Sequence, residues 1–330
     1  MSNRVLKKIR VIPLASESFG VRSMCTYVET PDVKVLLDAG ASLCPKRFGF
    51  PPHPREYKAM AKCRKRISKA VEKAEVVTIS HYHFDHHTPS YEDWCHNWSS
   101  AEVAKEIYLG KLVFIKSYRS MVNFSQRRRG WLFVKTSGKH AKRLEVADGK
   151  VFKFGNTQLR FSDPVFHGIE NSALGWLLMT TIECDDERLL FASDVQGPMY
   201  YPTMKKIVAE RPQLIIIGGP PVYLTGFRVR EEYVQQGMKN LERLVRRVPV
   251  TILEHHLLRE ERWRELSQPI FDAASKTGHI VGTAADFLGK ENNVLEFRRR
   301  KLFEAEPPSP EFEKWMKMPL SKRKLVKPPI

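Results

Sequence analysis

The chain has no apolar run of membrane-spanning length: no stretch of about eighteen consecutive hydrophobic positions occurs in its 330 residues, so a transmembrane helix is not expected. The opening residues, MSNRVLKKIRVIPLASES, contain no apolar stretch of signal-peptide length followed by a small-residue cleavage site. The expectation is therefore a cytoplasmic protein with no membrane partner. Cysteine is scarce. Cys25, Cys44, Cys63, Cys95 and Cys184 are odd in number, widely spaced and without a CxxC pair, which argues against a disulfide framework and against a thiolate zinc site. Acidic residues are the minority charge, 37 against 55 Lys and Arg, for a formal charge of +18. That excess favours phosphate-rich partners such as nucleic acid and says nothing about fold. Enrichment in Lys and Glu, as on heat-adapted surfaces, is the competing explanation.

What is present suits an ordinary large core: 42% of residues are hydrophobic and 10% aromatic. Short apolar runs separated by turn residues, RVIPLA, MCTYVET and KVLLDAG, predict strands at the start. Helical spacing through Tyr57, Met60, Ala61, Ile67 and Val71 predicts a basic amphipathic helix over Pro54 to Ala74. AEVVTIS then reads as a strand buried on both faces. After it, Thr88, Pro89, Glu92 and Asp93 have the residue types of a helix start. KLVFIKS, GWLFVKT, KVFKFG and TQLRFSDPVFHG are expected as strands, with a hairpin turning near Asp185-Asp186. QLIIIGGPP and VPVTILEHH read as buried strands. Helices are expected from Glu231 to Arg247 and across REERWRELSQPIFDAASKTG, the latter kinking near Pro269. From Arg298 onward the composition turns basic and proline-punctuated, so residues 298–330 are expected to be an extension outside the core.

The densest signal is TISHYHFDHH, which begins at Thr78 and carries four of the chain's eleven histidines around one aspartate where a strand ends. Neutral imidazoles and carboxylates are the donors that zinc and other divalent first-row metals prefer. In an extended loop side chains alternate, so His81, His83 and Asp85 are expected on one side, with His86 arriving from the following turn. One histidine at a strand end is ordinarily structural; four around an aspartate are not.

His81-Tyr82-His83-Phe84-Asp85-His86 is similar to the HxHxDH signature of the metallo-β-lactamase superfamily, and further marks follow in order. VFHG at Val165 to Gly168, LGW at Leu174 to Trp176, LLFASD ending in Asp194, and TILEHH resemble that family's later motifs. The second histidine of each His-His doublet, His87 and His256, resembles an archaeal branch of the superfamily, a likeness that brings no substrate with it. The resemblance implies an α/β, four-layer αββα sandwich as a hydrolase domain over 1–297, with a basic insertion around 88–145. It also implies two divalent cations, zinc first and manganese or iron as alternatives. His81, His83 and His167 would hold one cation, Asp85, His86 and one of His255 or His256 the other, and Asp194 would bridge them. Asp38 and His87 would stand behind these ligands and orient them.

The implied chemistry is hydrolysis by a metal-bound hydroxide, with Asp85 or Asp194 as catalytic proton relay. Phosphodiesters of nucleic acid or nucleotides are the expected substrates, since Arg127, Arg128, Arg129, Arg298, Arg299 and Arg300 offer cations for phosphate. Small-molecule esters, lactones or thioesters are the alternative. A different class is a non-catalytic RNA- or ribonucleoprotein-binding protein that keeps its metal.

Overall fold

A computed structural model describes residues 5–330. Three short strands, β1 (Arg10–Pro13), β2 (Thr26–Glu29) and β3 (Lys34–Leu37), pair antiparallel. Helix α1 (Pro54–Val71) then carries the chain back to β4 (Val76–Ile79), which lies parallel to β3. Two further crossovers, α2 (Ala101–Tyr108) into β5 (Leu112–Ile115) and α3 (Phe124–Lys135) into β6 (Arg143–Val146), complete a six-stranded sheet. α1 starts as its sequence predicts: Pro54 opens the first turn, Arg55 N donates to His53 Nδ1, and the Glu56 carboxylate accepts from His53 N.

The second half forms a seven-stranded sheet from β7 (Val151–Phe154), β8 (Thr157–Phe161), β11 (Thr180–Cys184), β12 (Glu187–Ser193), β13 (Leu214–Gly218), β14 (Val250–Glu254) and β15 (Ile280–Gly282), with a separate two-stranded pair of β9 (Val165–Phe166) and β10 (Trp176–Leu177). β11 (Thr180–Cys184) and β12 (Glu187–Ser193) make the expected hairpin. α4 (Tyr201–Ala209), β13 (Leu214–Gly218), α5 (Glu231–Val245), β14 (Val250–Glu254), α6 (Trp263–Leu266), α7 (Gln268–Ser275), β15 (Ile280–Gly282) and α8 (Ala284–Phe287) follow. The break between α6 and α7 falls at Ser267, beside Pro269.

Strand periodicity explains the layers. Leu189, Phe191, Ile216 and Ile252 point into the core shared with Val35, Leu37, Val76 and Ile115 of the first sheet. Their neighbours Leu190, Ala192, Ile215, Ile217 and Leu253 face the opposite way, onto Leu241 and Leu244 of α5 and Ile270 and Ala273 of α7. With α1 and α2 on the outer face of the first sheet, the result is an αββα sandwich. Among the described residues no helix is long and apolar enough to cross a membrane, and all five cysteines are free.

Three expectations are corrected. GWLFVKT is the second half of α3 and not a strand: Asn123 caps the helix, and Gln126, Gly130 and Phe133 form its buried face while Trp131 and Leu132 stay exposed. No helix begins at Thr88, because its hydroxyl is already committed, donating to Ala39 O and accepting from Arg64; the chain runs through turns until Ser100 caps α2. The segment from 298 is not outside the core. It forms α9 (Arg299–Ala305), α10 (Pro310–Lys317) and α11 (Leu320–Arg323), and the Phe312 and Trp315 rings pack on Tyr57 of α1 at 5.8 and 5.6 Å.

Candidate metal centre

The expected ligands and the orienting Asp38 lie at strand ends or in the loop that follows one, and the ends converge. Asp38 follows β3, His81 follows β4, His167 follows β9, Asp194 follows β12 and His255 follows β14. β3 and β4 run parallel to each other, as do β12, β13 and β14, so the site occupies the crevice beyond their carboxyl ends. The turns are tight. Asp38, Ser193 and His255 have φ of 48, 53 and 67°, left-handed values costly for residues with a Cβ and typical of functional strand ends. Gly40 lets the loop after β3 approach the histidine motif, since a Cβ there would lie 2.3 Å from His87 N and 2.5 Å from His86 N.

The donors fall into overlapping groups. His81, His83 and His167 offer atoms within 4.8 Å of one another, and so do Asp85, His86 and His255. Asp194 stands between them, its Oδ2 being 3.0 Å from His167 Nε2 and 3.1 Å from His255 Nε2. Burial, then the neighbouring imidazoles, hold His81 and His83 well below the ordinary histidine pKa, so both rings are neutral at neutral pH. Burial alone would raise the pKa of Asp194, but His255, His256 and His167 outweigh it and keep the carboxylate ionised. His255 is pushed down by burial and raised by Asp194 and Glu17 to about 10.

The unbonded atoms show what the cluster is built for. His86 Nε2, both ring nitrogens of His167 and Asp194 Oδ1 are buried without a hydrogen-bond partner; the 3.0 Å approach of His167 Nε2 to Asp194 lacks hydrogen-bond alignment. Buried polar atoms are rarely left so, and several meeting at one place is what a cation's ligands look like. The other nitrogen of His86 is held at 2.7 Å by Asp38 Oδ2. Asp38 also accepts from Ser80 N at 2.7 Å and from the Ser80 and Ser193 hydroxyls. The donor set is imidazole and carboxylate throughout, which fits divalent zinc, manganese or iron, with His255 giving up its proton when a cation takes its place.

Between the two C-terminal histidines the geometry discriminates. His255 Nε2 is 3.6 Å from Asp85 Oδ2, and its Nδ1 lies 3.1 Å from Glu17. His256 is outside the Asp85–His86 group: its Nδ1 faces the Tyr223 hydroxyl and Arg259, and its Nε2 lies 3.2 Å from Asp194 and 3.3 Å from Gln196. His87 turns away from the cluster, bonded through Nδ1 to His83 O and packed against Tyr82, Phe84 and Phe133, where it braces the ligand loop.

Of the arginines expected to meet nucleic acid, Arg299 is misplaced. It is fully buried, with Nη2 and Nε 2.7 and 2.8 Å from the Glu56 carboxylate. Arg127, Arg128, Arg298 and Arg300 are exposed, and Arg129 lies in the wall of the metal cleft. That cleft, about 480 Å³, has His83, Asp85, His167 and Asp194 on its floor. Its walls include Arg22, Arg129, His96 and Lys324. Sequence reasoning missed Glu17, Arg259, Ser80 and Ser193. Ser80 and Ser193 each precede an expected ligand directly, a signal available in the sequence; Glu17 lies in a stretch that reads only as a turn.

No family model matches the chain. It is similar to a UPF0282 protein of Methanopyrus kandleri, 42% identical over 294 residues that cover 89% of this chain and 99% of that one. A UPF0282 protein of Thermococcus gammatolerans is 44% identical over 299 residues, 90% of this chain and 96% of that one. In three dimensions the chain is similar to YhfI of Bacillus subtilis, a metallo-β-lactamase fold protein, with a TM-score of 0.50 and 14% identity over 84% of this chain and 98% of that one.

Proposed function

Since the chain belongs to the UPF0282 family and has the metallo-β-lactamase fold, we propose that it is a metal-dependent hydrolase that cuts phosphodiesters at a two-cation centre. His81, His83 and His167 would hold one cation, Asp85, His86 and His255 the other, with Asp194 between them. Two divalent cations, zinc first and manganese or iron next, supply Lewis acidity and lower the pKa of water when bound. The chain's own residues do the rest. Asp38 and Glu17 fix the rings of His86 and His255 through their outward nitrogens. Asp85, at 16% exposure the more accessible of the two carboxylates, faces the cleft and takes the proton from the attacking water. Arg129 and Lys324 give the walls a positive field that draws an anionic diester.

The observation that carries this reading is that His86, His167 and Asp194, each with a buried side-chain atom that lacks a hydrogen-bond partner, belong to the donor groups that converge from separate strand ends. The preference for phosphodiesters rests on the cationic walls and the +18 formal charge. The test is metal analysis of the purified protein joined to hydrolysis assays on bis(p-nitrophenyl) phosphate, a lactone and structured RNA. Metal binding with diester cleavage that is lost in His83→Ala is expected; activity confined to the lactone overturns the substrate class.

A further inference from the structure

Arg129 is a charged side chain with no carboxylate in ion-pair contact among the described residues. It projects from α3 into the wall of the metal cleft, half-buried, with its guanidinium 4.4 Å from the Phe84 ring centroid. Its one protein hydrogen bond runs from Nη1 to Tyr82 O at 3.3 Å, and among the described residues it makes no ion pair. Arg22, Arg259 and Arg299 are neutralised by Glu296, Glu17 and Glu56, and the buried Arg64, which has no carboxylate, spends its hydrogen bonds on Thr88, Ala41 O and Asn97 O, whereas Arg129 opens onto a cleft. A partly desolvated cation without a carboxylate is costly, and the cost is recovered when an anion enters beside it.

A second cation reaches the same cleft from the far end of the sequence. Lys324 follows α11, and its segment is pinned by Trp94 N donating to Lys324 O at 3.0 Å and by Lys327 over the Trp94 ring. Its ammonium lies 3.4 Å from Asp93 Oδ2, but that carboxylate already accepts from the backbone of Cys95 and His96 and from Asn97. Its charge is therefore shared and remains available to a ligand.

We propose that Arg129 and Lys324 are specificity-determining residues that contact the non-bridging oxygens of a phosphodiester seated over the metal groups. The inference rests on the hydrolytic reading above and sharpens it, because it names the groups that select an anionic diester over a neutral ester. The planar fork of Arg129 can engage two phosphate oxygens at once, whereas Lys324 acts as a point charge. It also gives the C-terminal segment a place in the site.

The experiment compares zinc-loaded wild type with Arg129→Met, Lys324→Met and the double variant, which keep the apolar stems and remove the charges. Titration calorimetry with diphenyl phosphate reads anion binding without turnover. Initial rates on bis(p-nitrophenyl) phosphate and p-nitrophenyl acetate give the ratio of kcat/KM between anionic and neutral substrates. Each substitution should weaken diphenyl phosphate binding and lower that ratio about tenfold or more, through a raised KM for the diester. Equal binding of diphenyl phosphate by wild type and the double variant overturns the proposal, as does an equal loss on both substrates. If wild type cleaves neither substrate while the variants still bind diphenyl phosphate more weakly, the hydrolytic reading falls and the anion contacts stand. Lys324, one-third exposed on its own segment, keeps the test readable should Arg129→Met disturb the packing on Phe84.

Discussion

Asp38 Oδ2 lies 2.7 Å from His86 Nδ1, and both side chains are fully sealed from solvent. Because Asp38 also accepts from Ser80 and Ser193, it is fixed before the imidazole meets it. The bond therefore dictates which nitrogen of His86 faces the Asp85–His255 group: Nε2 is left free and Nδ1 is occupied.

Asp38→Ala should lower affinity at the cation site containing His86 by about 10–100-fold, the usual loss when a ligand's supporting carboxylate is removed. Competition with a coloured chelator would show one tight site kept and one weakened. Two equally tight sites in the variant would remove Asp38 from its orienting role.

His255 and His256 are adjacent, yet only His255 approaches Asp85, at 3.6 Å. His255→Ala should therefore reduce the bound metal from two equivalents toward one, while His256→Ala retains both. Equilibrium dialysis followed by metal analysis of the two variants decides between them, and the reverse pattern would exchange their assignments.

Arg22 and Glu296 form a pair in which burial raises the carboxyl pKa while Arg22, Arg259 and Arg299 outweigh it and hold it well below the usual range. A carboxylate depressed in the folded state adds stability that is complete above its unfolded pKa, about 4.5, and is lost as pH falls toward the folded value. Glu296→Gln should cost about 3–5 kcal/mol at pH 7, because Arg22 is left without its partner. It should also flatten the stability loss of the wild type between about pH 5 and pH 3. Urea titrations across that range read both effects, and parallel pH curves for the two proteins would contradict them.

The parts legible in the sequence are those in which local pattern and burial agree. α1 shows its apolar face at helical spacing, β4 is a continuous buried run, and the candidate ligands follow strand ends, so VVTIS-HYHFDH announces both the strand and the candidate site. α3 was illegible because Phe124, Trp131 and Leu132 are apolar yet exposed, while its buried face includes Gln126 and Gly130. Glu17 was illegible for another reason. Its partners His255 and Arg259 are 238 and 242 residues away, and SESFG looks like turn material until the sheets close over it. Lys324 and Arg299 belong to a basic, proline-rich stretch whose composition suggests a solvated tail. Tertiary contacts, among them Arg299 with Glu56, Lys324 with Asp93 and the Phe312 and Trp315 rings with Tyr57, draw that stretch back onto the domain.

The Arg299–Glu56 pair is the anchor of that stretch. Glu56 has two tasks, since its Oε2 accepts from His53 N at the start of α1 and its two oxygens bind Arg299. Arg299→Met removes the cation but leaves the carboxylate buried, which should cost about 3–5 kcal/mol, more than the lost contacts alone would suggest. Adding Glu56→Gln relieves the stranded charge and keeps an amide oxygen for His53 N. The double variant should thus recover at least about 1 kcal/mol over Arg299→Met, a positive coupling readable from urea midpoints in a double-mutant cycle. Additive losses would mean that the ion pair is incidental, and that Leu302, Phe312 and Trp315 hold the C-terminal helices to the core without it.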